Sequence, residues 1–167
     1  MSAVTAYISG GSNVDTDRNL RLAARELKRS FPGTRFSRCY RNAAVGFSGP
    51  DFVNFAASLP TTLALGELTE ALKRIESLCG RPDNAPRWVP RTMDLDLLLY
   101  GDLVGEFGGV KLPRPSLLEW GFMLGPLAEI APNLVHPVRQ QRLADLWARF
   151  DRDAHQLTPI DLDLAAA

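Results

Sequence analysis

Near the start of the chain apolar and polar residues alternate, with Val4, Ala6 and Ile8 on one side and Thr5, Tyr7 and Ser9 on the other. A period of two sends successive side chains to opposite faces, so this stretch predicts a two-faced β-strand. Gly10-Gly11-Ser12-Asn13 then predicts a turn. Asp15 or Asp17 is placed to cap a helix with the stripe Leu20, Ala24, Leu27 and Phe31, which Pro32-Gly33 stops. Residues 34–41 predict a second strand, and residues 42–50, rich in small residues, Gly and Pro, a loop. Alternation returns over residues 52–59, with Val53, Phe55, Ala57 and Leu59 opposite Phe52, Asn54 and Ala56. Thr62 is placed to cap a helix whose stripe is Leu65, Leu68, Leu72, Ile75 and Cys79, with Gly80 at its C′ position.

Residues 81–90 predict a loop. After it Met93, Leu95, Leu97 and Leu99 alternate with Asp94, Asp96, Leu98 and Tyr100, which predicts a strand with both carboxylates on one face. Ser116 and Glu119 have the spacing of a capping box for a short helix. Leu143, Leu146, Trp147 and Phe150 predict a last helix, and the residues from Asp151 onward read as a loose tail. The division is therefore one domain over residues 1–150 and a C-terminal tail over 151–167. Strand, helix, strand, strand, helix, strand is the β-α-β-β-α-β order of an α+β fold, a mainly antiparallel sheet covered by helices, here with additional C-terminal helices.

Composition narrows the partners. A chain of 167 residues with 46% hydrophobic and 23% charged residues suits a single folded core. Nineteen Lys plus Arg balance nineteen Asp plus Glu, so the basic excess typical of nucleic-acid binders is absent. Cys39 and Cys79 lack paired ligand spacing and read as buried free thiols. There is no basic segment followed by an apolar run, and no apolar stretch near the roughly 20 residues a bilayer requires. A cytoplasmic monomer acting on small molecules, with neither membrane nor nucleic acid as partner, is expected.

Asp94 and Asp96, at i and i+2, project together from one strand face. Adjacent carboxylates repel unless protons or cations neutralise them, and hard oxygens suit Mg²⁺, which takes one or two carboxylates plus phosphate oxygens. The plainer alternative is an exposed polar strand face. Arg81, Arg87 and Arg91 precede the pair in a Pro-bounded loop, where arginine forks would match phosphate oxygens. The alternative is a solvated basic loop pairing with Asp83, Asp94 or Glu76. Trp88 in that loop is either a lid or a packing residue. Phe52 and Asn54 share a strand face, one ring to stack and one amide to pair, or simply a half-buried surface. The Gly10-Gly11 turn is too short for a phosphate loop, and His136 and His155 have no partner pattern that assigns them a role.

Taken together, several stretches resemble a known family. They are Tyr7-Ile8 with Gly11-Ser12-Asn13, residues 40–46, Pro50-Asp51-Phe52-Val53-Asn54, and Ile75-Glu76 with Gly80-Arg81. Most specific is Arg87-Trp88-Val89-Pro90-Arg91-Thr92-Met93-Asp94-Leu95-Asp96-Leu97, followed by Leu112-Pro113-Arg114-Pro115 and residues 121–132. In this order they resemble the 6-hydroxymethyl-7,8-dihydropterin pyrophosphokinases of folate biosynthesis, over about residues 6–137.

The resemblance implies a ferredoxin-like sheet and an enzyme transferring pyrophosphate from Mg-ATP to hydroxymethyl-dihydropterin. It implies that Asp94 and Asp96 hold two Mg²⁺ ions on the ATP phosphates, with Asp96, Arg91 and, from the lid, Arg81 in catalysis. Glu76, Trp88, Arg91 and Leu97 would serve the nucleotide. Phe52 and Phe122 would sandwich the pterin, Asn54 would bond its edge, and Asn42, Ala44 and Val45 would line its pocket. Some positions depart from the family pattern. Arg114 stands where a histidine is usual and would take its place at the nucleotide. Trp120 stands for an arginine, Asp83 for a basic residue and Val89 for glycine, and Asn42-Ala43-Ala44 replaces a Thr and Pro pattern. A divergent paralogue that binds a pterin with little or no transfer is the alternative reading.

Overall fold

The computed structural model describes residues 2–44, 49–80 and 92–167. Its elements are β1 (Val4–Ser12), α1 (Thr16–Ser30), β2 (Arg35–Phe36), β3 (Cys39–Asn42), β4 (Phe52–Thr61), α2 (Leu65–Leu78) and β5 (Asp94–Tyr100). A small hairpin, β6 (Gly105–Phe107) and β7 (Val110–Leu112), and a 3₁₀ turn at Pro115–Leu118 lead to α3 (Gly121–Ile130), α4 (Leu143–Ala148) and β8 (Thr158–Ile160). The main sheet runs β5-β1-β4-β3-β8, with β2 also on β4, and all its pairings are antiparallel. This is the expected α+β, ferredoxin-like order.

Both faces of the sheet are covered, which is why β4 is buried at nearly every position rather than at alternate ones. On one face Ile8, Phe55, Leu59 and Leu97 pack with Leu20 and Leu27 of α1 and Leu68 and Leu72 of α2. On the other face Ala56, Leu98 and Leu99 pack with Leu124 and Leu127 of α3 and Leu143 and Leu146 of α4. Cys39 and Cys79 are free and buried, as expected; burial pushes their thiols up to about 12 and about 11. No described helix is long and apolar enough to cross a membrane.

Several local expectations are corrected. Residues 34–41 are not one strand. Phe36 pairs with Ala57 but Tyr40 with Asn54, so one extra residue is inserted between β2 and β3. Buried Ser37 fills the break, its hydroxyl accepting from the Ala56 N–H and its own N–H donating to the Ala56 carbonyl. In β5, Tyr7 faces Leu99 and Ile8 faces Leu97, leaving Leu98 as a bulge. One extra residue inverts the parity beyond it, so Leu99 leaves the face of Leu95 and Leu97 and joins the α3 side.

The helix ends also differ. Asp15 occupies the N-cap of α1 at φ 45° without a side-chain cap bond. The cap of α2 is Ala64 rather than Thr62, with Glu67 accepting the Ala64 N–H at 3.0 Å. Ser116 lies inside a 3₁₀ turn capped by Arg114, and Glu119 is its C-cap, so the two form no capping box. Gly80, at φ 89°, takes the left-handed conformation that its C′ position requires.

The largest correction concerns the end of the chain, which is not loose. β8 pairs with β3, placing Ile160 opposite Cys39. Leu162 and Leu164 are buried in the α1–α2 core. The Lys28 ammonium donates to the carbonyls of Ala165 and Ala167. Ile160, Leu162 and Leu164, spaced by two between aspartates, supply the apolar surface for this docking.

Candidate active site

The site grows out of cross-strand registry. Residues directly opposed in antiparallel strands share a face. Asp94 of β5, Gly11 of β1, Asn54 of β4 and Tyr40 of β3 form one such row, and Asp96, Ser9 and Ala56 the next. Strands lie about 4.8 Å apart, so Asp94 and Asn54 are roughly 10 Å apart across Gly11. This row lies on the α3 side of the sheet.

Gly10 and Gly11 are not a turn; β1 continues through them to Ser12. Their role is close approach. A Cβ on Gly11 would stand 2.2 Å from Asn54 Oδ1, and one on Gly10 2.3 Å from the Phe55 ring on the other face. Asn54 therefore lies across the backbone of β1, 4% exposed, and its amide donates to Asn42 Oδ1. Asn42 sits opposite Phe52 in the same pair of strands. Its own amide donates to the Ala43 carbonyl at 3.1 Å. Asn13 donates to the Pro50 carbonyl at 3.1 Å, holding the approach to β4 beside the end of β1.

Asp94 and Asp96 are both half-buried on that face, as their spacing predicts. Arg114 Nη2 lies 3.3 Å from Asp96 Oδ1, and Arg114 Nε donates to Ser116 Oγ at 3.2 Å. The Arg114 N–H donates to the Leu98 carbonyl at 2.9 Å, which ties the Pro113-Arg114-Pro115 segment to β5. Glu76, at the end of α2, accepts the Leu95 N–H at 2.7 Å, between the two aspartates in sequence. The Leu97 side chain is buried on the opposite face, in the α1–α2 core. Any contact it makes with a ligand on the carboxylate side falls to its main chain.

Phe122, in the first turn of α3, is half-buried and stacks on Trp120 at 6.1 Å between ring centres. A cavity of about 480 Å³ opens beside it, walled by Asn42, Ala44, Asp51 and Phe122, and on its far side by residues 153–158. Tyr40 and the Arg38 N–H both donate to the Glu129 carboxylate, clamping α3 to β3 behind this cavity. The structure thus brings Asn42, Ala44, Asn54 and Phe122 to one end of the face and Asp94, Asp96 and Arg114 to the other. Val45, Arg81, Asp83, Arg87, Trp88, Val89 and Arg91 lie outside the described residues. Gly11 as a packing residue and the segment 153–158 as a cavity wall escape the sequence reading.

A family model described as 7,8-dihydro-6-hydroxymethylpterin-pyrophosphokinase matches residues 7–132. The chain belongs to this family. Its relatives include the 2-amino-4-hydroxy-6-hydroxymethyldihydropteridine pyrophosphokinase of Aquifex aeolicus, 34% identical over 84% of this chain and 89% of that protein. That of Haemophilus influenzae is 34% identical over 93% and 99%, and that of Pseudomonas aeruginosa 38% over 78% and 83%. Among solved structures, Plasmodium falciparum HPPK-DHPS with pteroate superposes with a TM-score of 0.69 at 12% identity, covering 93% of this chain. An HPPK-DHPS in complex with substrates gives 0.66 at 11%, covering 92%. This chain spans 44% of the length of each of those chains. At such identity the likeness establishes the shared pyrophosphokinase fold. The family model ends at residue 132, before the segment that closes the far side of the cavity.

Proposed function

We propose that this pyrophosphokinase transfers the terminal pyrophosphoryl group of ATP to the hydroxymethyl group of 6-hydroxymethyl-7,8-dihydropterin. The row Asp94–Gly11–Asn54 supports the reading: it puts the carboxylate pair and Asn54, the residue proposed to bond the heterocycle, on one sheet face, roughly 10 Å apart. The substrate oxygen attacks the β-phosphorus, the bond to the bridging oxygen breaks, AMP leaves, and the hydroxyl proton passes to the carboxylate pair, with Asp96 as its acceptor. Such transfer depends on in-line positioning and charge neutralisation more than on covalent catalysis.

The donor set fits Mg²⁺. Among the described residues no group of three or more His, Cys, Asp or Glu gathers to enclose a metal. Two half-buried carboxylates side by side on one strand face suit an ion that brings phosphate oxygens and water with it. Asp94 and Asp96 would hold two such ions, which neutralise the triphosphate charge when bound. Arg114 lies 3.3 Å from Asp96, and with Mg²⁺ on that carboxylate its guanidinium would be placed to bond a phosphate oxygen instead. Arg81, Arg91 and Trp88 act from the segment that precedes β5 in the sequence, and Glu76 and the Leu97 main chain flank the nucleotide. Phe52 and Phe122 hold the ring between them, Asn54 bonds its edge, and Asn42, Ala44 and Val45 line the pocket. Buried free thiols fit a reducing cytoplasm and balanced charge argues against a nucleic-acid partner; a monomer with small-molecule partners and no membrane is the state proposed. No finding favours the alternative of a pterin binder without transfer.

The test follows AMP release from ATP and hydroxymethyl-dihydropterin. Release is expected with Mg²⁺, abolished by a chelator and restored when Mg²⁺ is returned; release that persists without divalent metal would overturn the reading.

A further inference from the structure

Five rings run in contact from the last helix to the heterocycle pocket. Trp147 stacks on Phe150 at 5.5 Å, and Phe150 meets the edge of His155 at 4.9 Å. His155 meets Trp120 edge-on at 5.8 Å, and Trp120 stacks on Phe122 at 6.1 Å. The last ring is the one expected to cover the pterin.

We propose that residues 153–158 form a fixed outer wall of the heterocycle pocket, with His155 a positioning residue that holds Trp120, and through it Phe122, against the bound ring. The inference rests on the pterin reading above.

The contact is built into α3. A Cβ on Gly121 would stand 2.7 Å from His155 Cβ and 3.3 Å from the His155 carbonyl oxygen. A Cβ on Gly125 would stand 2.9 Å from the Trp147 ring and 3.0 Å from Leu157 Cδ1. Residues at i and i+4 share a helix face, so two glycines clear one track along α3, and the C-terminal segment lies in it. The segment is secured on both sides, by α4 before it and by β8 on β3 after it. Beyond β8, Leu162 and Leu164 are anchored in the core. A segment held this way keeps the pocket narrow without having to order itself on binding.

The same geometry accounts for Trp120. The resemblance places an arginine there, on the nucleotide side. Here the ring is engaged on one side by Phe122 and on the other by His155, so the position serves the pterin pocket instead.

His155→Ala removes the ring that supports Trp120, and His155→Phe keeps one. Losing a ring contact of this kind corresponds to roughly a tenfold change in affinity. His155→Ala is expected to raise Kd and KM for the pterin about tenfold, with KM for Mg-ATP and kcat held within about twofold. His155→Phe should bring pterin affinity back to within about threefold of wild type. Gly121→Ala, which pushes His155 off α3 without touching its ring, should reproduce the pterin-selective loss. The proposal is overturned by unchanged pterin affinity in both His155→Ala and Gly121→Ala, by equal losses for pterin and Mg-ATP, or by no recovery in His155→Phe. Wild-type protein that neither binds the pterin nor releases AMP overturns the functional reading itself. Wild-type protein that does both, beside indifferent variants, overturns only the role of the C-terminal wall.

Discussion

Gly11 is a small residue with a large positional consequence. It lies between the carboxylate end and the pocket end of one cross-strand row, and Asn54 occupies the space its missing side chain leaves. Gly11→Ala forces Asn54 away from Asn42. It should lower stability by about 1–3 kcal/mol in denaturant unfolding, the usual cost of overpacking, and weaken pterin binding in the same protein. His136 is a second residue whose surroundings set its behaviour. Burial, and then Arg139, hold its pKa below the ordinary value. Its Nδ1 accepts the N–H groups of Val138 and Arg139, which requires an unprotonated nitrogen. The folded state therefore resists a proton that the unfolded chain takes up near pH 6.5. Its contribution is complete above about pH 6.5 and is lost as pH falls toward the lowered folded pKa. Thermal unfolding between pH 7.5 and 5.5 should show a smaller drop in Tm for His136→Asn, which accepts but does not titrate. An equal drop would contradict this.

At the scale of elements, the strands and helices with sustained periods are legible: β1, β4, α1 and α2 carry their alternation or stripe openly. What the sequence conceals arises from neighbours. The bulge at Leu98 leaves no mark in a run of three leucines, because only the partner strand decides which one is unpaired. Gly10-Gly11 resembles a turn because glycine's absent side chain is used here for space, a need visible only once Phe55 and Asn54 stand opposite. The three residues of β8 are too few to show a period, although Ile160, Leu162 and Leu164 already hint at a buried face. Leu164, 2% exposed, decides whether that end belongs to the core. Leu164→Ala should cost about 2–5 kcal/mol and lower Tm accordingly, as a buried leucine does. A change below about 0.5 kcal/mol, typical of surface sites, would mean that the end is loose after all.

At the scale of the whole molecule, the sheet works as a platform. Its α1–α2 face is a buried apolar core, and its other face carries α3 and α4 together with the carboxylate pair and the pocket. The Asp-Leu-Asp pair and the Phe52–Asn54 face were readable because both rest on a strand's period of two. The far wall of the pocket was not, since it comes from residues 153–158, more than a hundred positions beyond the strand they face. The proposed chemistry divides across this platform, metal and phosphate at one end and heterocycle at the other. The most direct test is Asp96→Asn, assayed for AMP release and, separately, for pterin binding. Removing one such charge should cut AMP release by about 100-fold or more while pterin affinity stays within about twofold. AMP release at the wild-type rate, or loss of pterin binding in step with it, would contradict the account.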